Sequence, residues 1–158
     1  MNYHIPIIKL SMVKDRTLTA NTNPRRSITQ STQAASICRA MIGECDREQF
    51  ICLHLDAKHH IIAVETIATG SLTMALVHPR EVFKAAILSN SAAIIVAHNH
   101  PSGNPEPSEE DFTLTRRLVE AGKILGVPIL DHIVIGEETS EPNRYYSFAD
   151  EGVLTLGI

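Results

Sequence analysis

A chain of 158 residues, 44% hydrophobic and 20% charged, has the length and composition of one globular domain with a core of its own. Lys plus Arg number 14 against 18 Asp plus Glu, a net charge of −4 that lacks the basic footprint of a dedicated nucleic-acid binder. No apolar run approaches the roughly 18 residues that span a bilayer, and Met1 to Pro6 has no basic-then-apolar leader, so a cytoplasmic protein with no membrane partner is expected.

His4 to Val13 mixes apolar and polar positions in a strand-like way, with Pro6 confining its start to an edge. Asp15 to Ser27 is polar and irregular and reads as a linker or arm, mobile or packed on a partner subunit, so an oligomer is compatible with it. The expected organisation is an N-terminal strand and arm over 1–30 and a single domain over 31–158. Ser31 to Met41 reads as a helix with Thr29 or Ser31 as its cap and Gly43 near its end. Arg47 to Asp56 follows as a strand, with Phe50, Cys52, Leu53 and Leu55 in imperfect alternation. Glu48, at the start of that strand, reads by itself as a surface charge beside Arg47 or Lys58. Asp56 to His60 is a turn with His59 and His60 facing solvent, and Ile61 to Ala68 is a second, antiparallel strand. Gly70-Ser71-Leu72 breaks it, and Met74 to Val77 reads as a short strand. Pro79 opens a helix through Asn90 that buries Val82, Phe83, Ala86 and Ile87.

The three cysteines, Cys38, Cys45 and Cys52, form no Cys-x-x-Cys pair and no even set for a disulfide framework. They are expected to be reduced thiols, with Cys52 inside a strand.

Ala92 to Ala97 is a short apolar run rich in β-branched residues, as in a buried strand. Side chains alternate along a strand, so His98 and His100 share a face and Asn99 takes the other. Pro101-Ser102-Gly103 and Pro105-Glu106-Pro107 then force a loop. Ser108 caps a helix whose first turn holds Glu109, Glu110 and Asp111. Its apolar stripe is Leu114, Leu118, Ala121 and Leu125, and Asp111 lies on that same inward face. A buried carboxylate needs a partner. Two readings stand side by side. Ser108-x-x-Asp111 fits a capping box, with Asp111 folded back onto the Ser108 amide. Alternatively, His98, His100 and Asp111 form a three-ligand metal site, the pattern of a catalytic zinc centre that keeps a position for water.

Gly126 ends the long helix, and Ile129 to Ile135 is the last main strand, interrupted by Asp131 and His132. Those two either orient a metal ligand or bond to a neighbouring loop. Tyr145 to Phe148 reads as a closing edge strand. The order of elements predicts an α/β fold, a single three-layer domain with a central mixed sheet and helices on its faces. Ligands of open α/β sheets sit at strand ends and helix starts, where the candidate residues lie. A zinc deaminase is excluded, since it needs His-x-Glu and Pro-Cys-x-x-Cys and no cysteine follows Cys52.

His98-x-His100-x(7)-Ser108-x(2)-Asp111, with a glutamate some fifty residues upstream, resembles the JAMM (MPN+) metalloprotease signature. Val77-His78-Pro79-Arg80-Glu81-Val82-Phe83 and Leu130-Asp131-His132-Ile133-Val134-Ile135-Gly136 are similar to the RadC-like branch of that family, from about Arg47 to about Phe148. The resemblance implies a JAB/MPN-like, cytidine-deaminase-like fold and a zinc ion held by His98, His100 and Asp111. It also implies Glu48 as general base on the water and Ser108 as donor to the oxyanion, in a hydrolase that cleaves a peptide or isopeptide bond of a peptide or protein substrate. As a cap Ser108 only accepts from an amide, so its hydroxyl hydrogen is expected to be free for that task. Full-length members of the branch carry a helix-hairpin-helix region, and nothing at the start of this chain reads as one. The alternative is a non-catalytic metal-containing interaction module associated with DNA repair, replication or mobile-element complexes, a DNA association for which the charge gives no support.

Overall fold

The computed structural model describes residues 8–15, 17, 26–70, 77–137 and 144–155. Its middle is built from the apolar runs around Ile51 and Ile95. These form β1 (Gln49–Leu55) and β3 (Ala93–Asn99), which pair antiparallel. Outside them lie β2 (Ile61–Thr69), antiparallel to β1, and β4 (Ile129–Ile135), parallel to β3; β5 (Tyr145–Ser147) closes the edge antiparallel to β4. The five-stranded mixed sheet has the order β2-β1-β3-β4-β5.

Strand alternation sorts the interior into two layers. Ile51, Leu53, Leu55, Ile95, Ala97, Ile133 and Ile135 face α1 (Ser31–Ile42), which buries Ala34, Ala35, Ile37, Cys38 and Ile42. Phe50, Cys52, Ile94 and Val96 face the other way, toward Val82, Phe83 and Ala86 of α2 (Pro79–Leu88) and Leu114 and Leu118 of α3 (Glu109–Leu125). The result is the expected three-layer α/β domain. Because β3 and β4 are parallel, the chain crosses between them through α3. That crossover brings the first turn of α3 beside the C-terminal end of β3, where His98 points to the α3 side.

The described residues also depart from expectation in places. Residues 8–13 form no strand, and Ile8, Leu10, Met12 and Val13 are exposed. Alternation without a pairing strand leaves the backbone groups to water. Most of the predicted arm, and the predicted strand at Met74 except Val77, lie outside the described residues; Val77 is buried but not in a strand. The N-cap of α1 is Gln30 instead of Thr29 or Ser31, because the Gln33 carboxamide oxygen reaches back to the Thr29 and Gln30 amides. β1 begins at Gln49 because the Asn99 side chain takes the Gln49 N–H and the Arg47 carbonyl. His60 is half-buried against Asp56, 3.0 Å away, rather than free in solvent. Ile87 is exposed: at about 100° per residue, positions 82, 86 and 83 fill the buried arc and 87 lies past it. Leu125 is exposed too, and Gly122 takes the inward position, since the chain turns back there and Val127 packs close.

Candidate metal centre

β3 carries His98 on the α3 face, where its imidazole stacks on Phe50, its cross-strand partner on β1. The strand ends at Asn99, whose side chain turns away toward Cys45, Arg47 and Gln49. His100 follows immediately, anchored by its backbone N–H on the Ile135 carbonyl, and its ring returns to His98. The Nε2 atoms of His98 and His100 are 3.0 Å apart. Asp111, in the first turn of α3, places Oδ1 3.2 Å from His98 Nε2 and Oδ2 3.6 Å from His100 Nε2. Glu48 closes the far side with Oε1 4.0 Å from His100 Nε2. Ligand atoms of Glu48, His98 and His100 all lie within 4.8 Å of one another, a grouping that can hold a metal ion. Asp111 stands closer to both imidazoles than Glu48 does.

These donors fit a cation. Bonds of about 2.0–2.1 Å to a tetrahedral ion separate its ligand atoms by about 3.3 Å, close to the 3.0 Å between the two imidazole nitrogens and the 3.2 Å from His98 Nε2 to Asp111 Oδ1, while Oδ2 makes the 3.6 Å approach to His100. The carbonyl of Asn104 accepts from His100 Nδ1, 2.8 Å away, which leaves the Nε2 lone pair of a neutral ring pointing inward. Lone pairs and carboxylate oxygens crowd one point and repel each other unless a positive charge sits among them. A proton also answers this need: hydrogen bonding to Asp111 raises the His100 imidazole above its ordinary value, against the effect of burial. Burial alone would push the Asp111 carboxyl up, but hydrogen bonds from His100, His98 and Ser108 outweigh it and hold the group charged, well below the usual carboxylate range.

The capping reading of Asp111 is realised, and the same carboxylate also reaches the imidazoles. Its Oδ2 accepts from the Ser108 amide at 2.7 Å, and the Ser108 Oγ accepts from the Asp111 amide at 3.3 Å, a capping box. Its Oδ1 faces the imidazoles. The Ser108 hydroxyl hydrogen is not free, however: it is donated to Asp111 Oδ2 at 2.7 Å.

The RadC-like JAB domain profile matches residues 28–153. This chain belongs to the RadC-like JAB domain family. Among curated relatives, a UPF0758 protein of Methanosarcina mazei is 46% identical over 129 residues, 82% of this chain and 54% of the relative. A UPF0758 protein of Desulfitobacterium hafniense is 51% identical over 109 residues, covering 69% of this chain and 46% of its own length. The corresponding protein of Symbiobacterium thermophilum is 52% identical over 108 residues, 68% and 44% of the two chains. The chain spans about half the length of the curated relatives it matches.

Within this JAB domain the structure gathers His98, His100, Asp111, Glu48 and Ser108 at one point. His132, flagged in the sequence together with Asp131, is wholly buried with Nε2 2.9 Å from His98 Nδ1. Burial drives its imidazole well below the ordinary value, so it is neutral. Asp131 points to the opposite face and bonds Ser147 and the Ala149 amide. Thr115, which the sequence reading passed over, joins His132 Nδ1 at 2.6 Å. Its signal was available: it is four residues after Asp111, a hydroxyl on the buried side of a helix.

Proposed function

We propose that this JAB domain is a zinc-dependent hydrolase of the JAMM type that cleaves a peptide or isopeptide bond in a cytoplasmic peptide or protein substrate. The observation that carries the reading is the convergence of His98, His100 and Asp111 with a second carboxylate, Glu48, 4.0 Å from His100. His98, His100 and Asp111 would hold the ion. When bound, zinc supplies Lewis acidity that polarises a carbonyl and lowers the pKa of water toward neutrality. Glu48 accepts the water's proton and delivers it to the departing amine. Ser108 exchanges its bond to Asp111 for one to the carbonyl oxygen as that oxygen gains charge, an interaction made only in the transition state. Among the described residues no helix is long and apolar enough to cross a membrane.

The test is zinc content per chain together with hydrolysis by wild type and Glu48→Gln over a proteome-derived peptide library. The reading predicts zinc in both proteins and a loss of about 10²- to 10⁴-fold in turnover for the variant. Full zinc with equal, background turnover in both contradicts it and favours the non-catalytic module. Salt-sensitive DNA binding that survives His98→Ala would support that module directly.

A further inference from the structure

The hydrogen-bond partners of His98 can be counted outward from a group whose role is fixed. A backbone carbonyl only accepts, so the single hydroxyl hydrogen of Thr115 goes to the Asp111 carbonyl, 2.6 Å away. Toward His132 Nδ1, also 2.6 Å away, the Thr115 oxygen is then limited to accepting, and Nδ1 carries the ring proton. His132 is wholly buried between Phe50 and Phe148, where a second ring proton would add a costly charge. Its Nε2 is therefore an acceptor, and His98 Nδ1, 2.9 Å away, is the donor. With Nδ1 committed as the donor to His132, His98 turns Nε2 to the site, where it meets His100 at 3.0 Å and Asp111 at 3.2 Å; a metal ion takes its lone pair, and a proton there bonds Asp111 when no ion is bound.

We infer that Thr115 and His132 are positioning residues: a hydroxyl–imidazole relay that locks His98 in the Nδ1–H tautomer, so that Nε2 is permanently available to a metal. This rests on the metal-centre reading above and deepens it. The relay starts on the backbone carbonyl of Asp111 and returns, through His98, to the carboxylate of Asp111, so one closed circuit ties β3, α3 and β4 around the site. A metal-bound histidine most often donates its other ring N–H to a carboxylate, a carbonyl or water. Here the donor meets a neutral imidazole that passes the constraint to a main-chain carbonyl, and the tautomer is set without a further negative charge beside the ion.

The experiment uses the full chain, first metal-free with ¹⁵N-labelled histidine, then titrated with zinc against a chromophoric chelator. Long-range ¹H–¹⁵N correlations in wild type are expected to show Nδ1–H on both His98 and His132. Thr115→Val removes only the hydroxyl; it is expected to take Nδ1–H population from His98 and His132 and to weaken zinc about 10- to 100-fold, as loss of an orienting partner does elsewhere. Thr115→Ser is expected to restore both. A purely structural Thr115 would change thermal stability and leave the tautomers and the zinc constant alone. A ring without Nδ1–H on either histidine in wild type overturns the relay even if the valine variant fails to fold, and unchanged zinc affinity in a folded Thr115→Val overturns it alone. A wild type that takes up no zinc overturns the metal centre and the relay with it.

Discussion

Ser108 holds two jobs and is proposed for a third, and mutation separates them. It caps α3, orients Asp111 through both its amide and its hydroxyl, and is the proposed oxyanion donor. Ser108→Ala keeps the amide bond to Asp111 Oδ2, so zinc is expected to stay bound. Loss of the cap should cost about 0.5–2 kcal/mol in urea unfolding. Turnover should fall about 10²- to 10³-fold, as for an oxyanion-hole donor. Stability lost without a change in turnover would leave Ser108 only its cap. Glu48 and Asp111 differ in the same concrete way: Asp111 is buried with its charge fixed by three neighbours, whereas Glu48 is partly exposed at the mouth of the site. The first suits a ligand and the second a group that exchanges protons. Sequence spacing alone pointed to Asp111, His98 and His100, since strand and helix periods are local. Glu48 needed the family resemblance, because only the β1–β3 pairing brings it to His100.

At the scale of elements the unit that matters is β3–loop–α3–β4. The loop after His100 is pinned to the end of β4 by the bond from the Glu137 amide to the Gly103 carbonyl, and Gly136 lies beneath it with no room for a side chain. A Cβ on Gly136 would fall 2.6 Å from the Gly103 oxygen and 2.8 Å from Pro105. Gly136→Ala is therefore expected to lift the loop, pull Asn104 from His100 Nδ1 and weaken zinc, at a stability cost of about 1–3 kcal/mol. Gly126→Ala is the control: its φ of +71° is strained for alanine but its surroundings are open, so it should destabilise without changing zinc affinity.

On the other face of β4, burial pushes Asp131 up to about 6 despite the bonds from Ser147 and Ala149. The folded protein thus binds a proton there that the unfolded chain, with an ordinary carboxyl near 3.8, releases earlier. Asp131's contribution falls as pH rises from about 4 to about 6, by up to about 3 kcal/mol, and is constant above that. Urea unfolding of wild type and Asp131→Asn across that window checks it: the difference between them should shift in the variant's favour with rising pH, and a flat difference would contradict the assignment. The sequence marked Asp131 and His132 as one polar interruption. Strand alternation sends them to opposite faces, which is why one serves the sheet's edge and the other the candidate metal site.

For the whole molecule, the mixed sheet and its two helical layers followed from the order of elements and the apolar strand runs. What did not follow was anything dependent on a distant partner. Residues 8–13 alternate like a strand but find no strand to pair with among the described residues, and the outer rows of α2 and α3 are exposed because periodicity gives a stripe without its width. Thr115 was only half legible for the same reason: its inward position after Asp111 could be read, but its partner His132 arrives from β4. On the proposed function, this scaffold aims two imidazole nitrogens and a carboxylate at one ion. X-ray absorption at the zinc edge, on protein purified with zinc and freed of loose metal by gel filtration, tests it most directly. One zinc per chain is expected, with nitrogen and oxygen donors at about 2.0–2.1 Å and an imidazole scattering pattern. Sulfur at about 2.3 Å, which would mean cysteine ligation, or a protein that elutes without zinc, would contradict it.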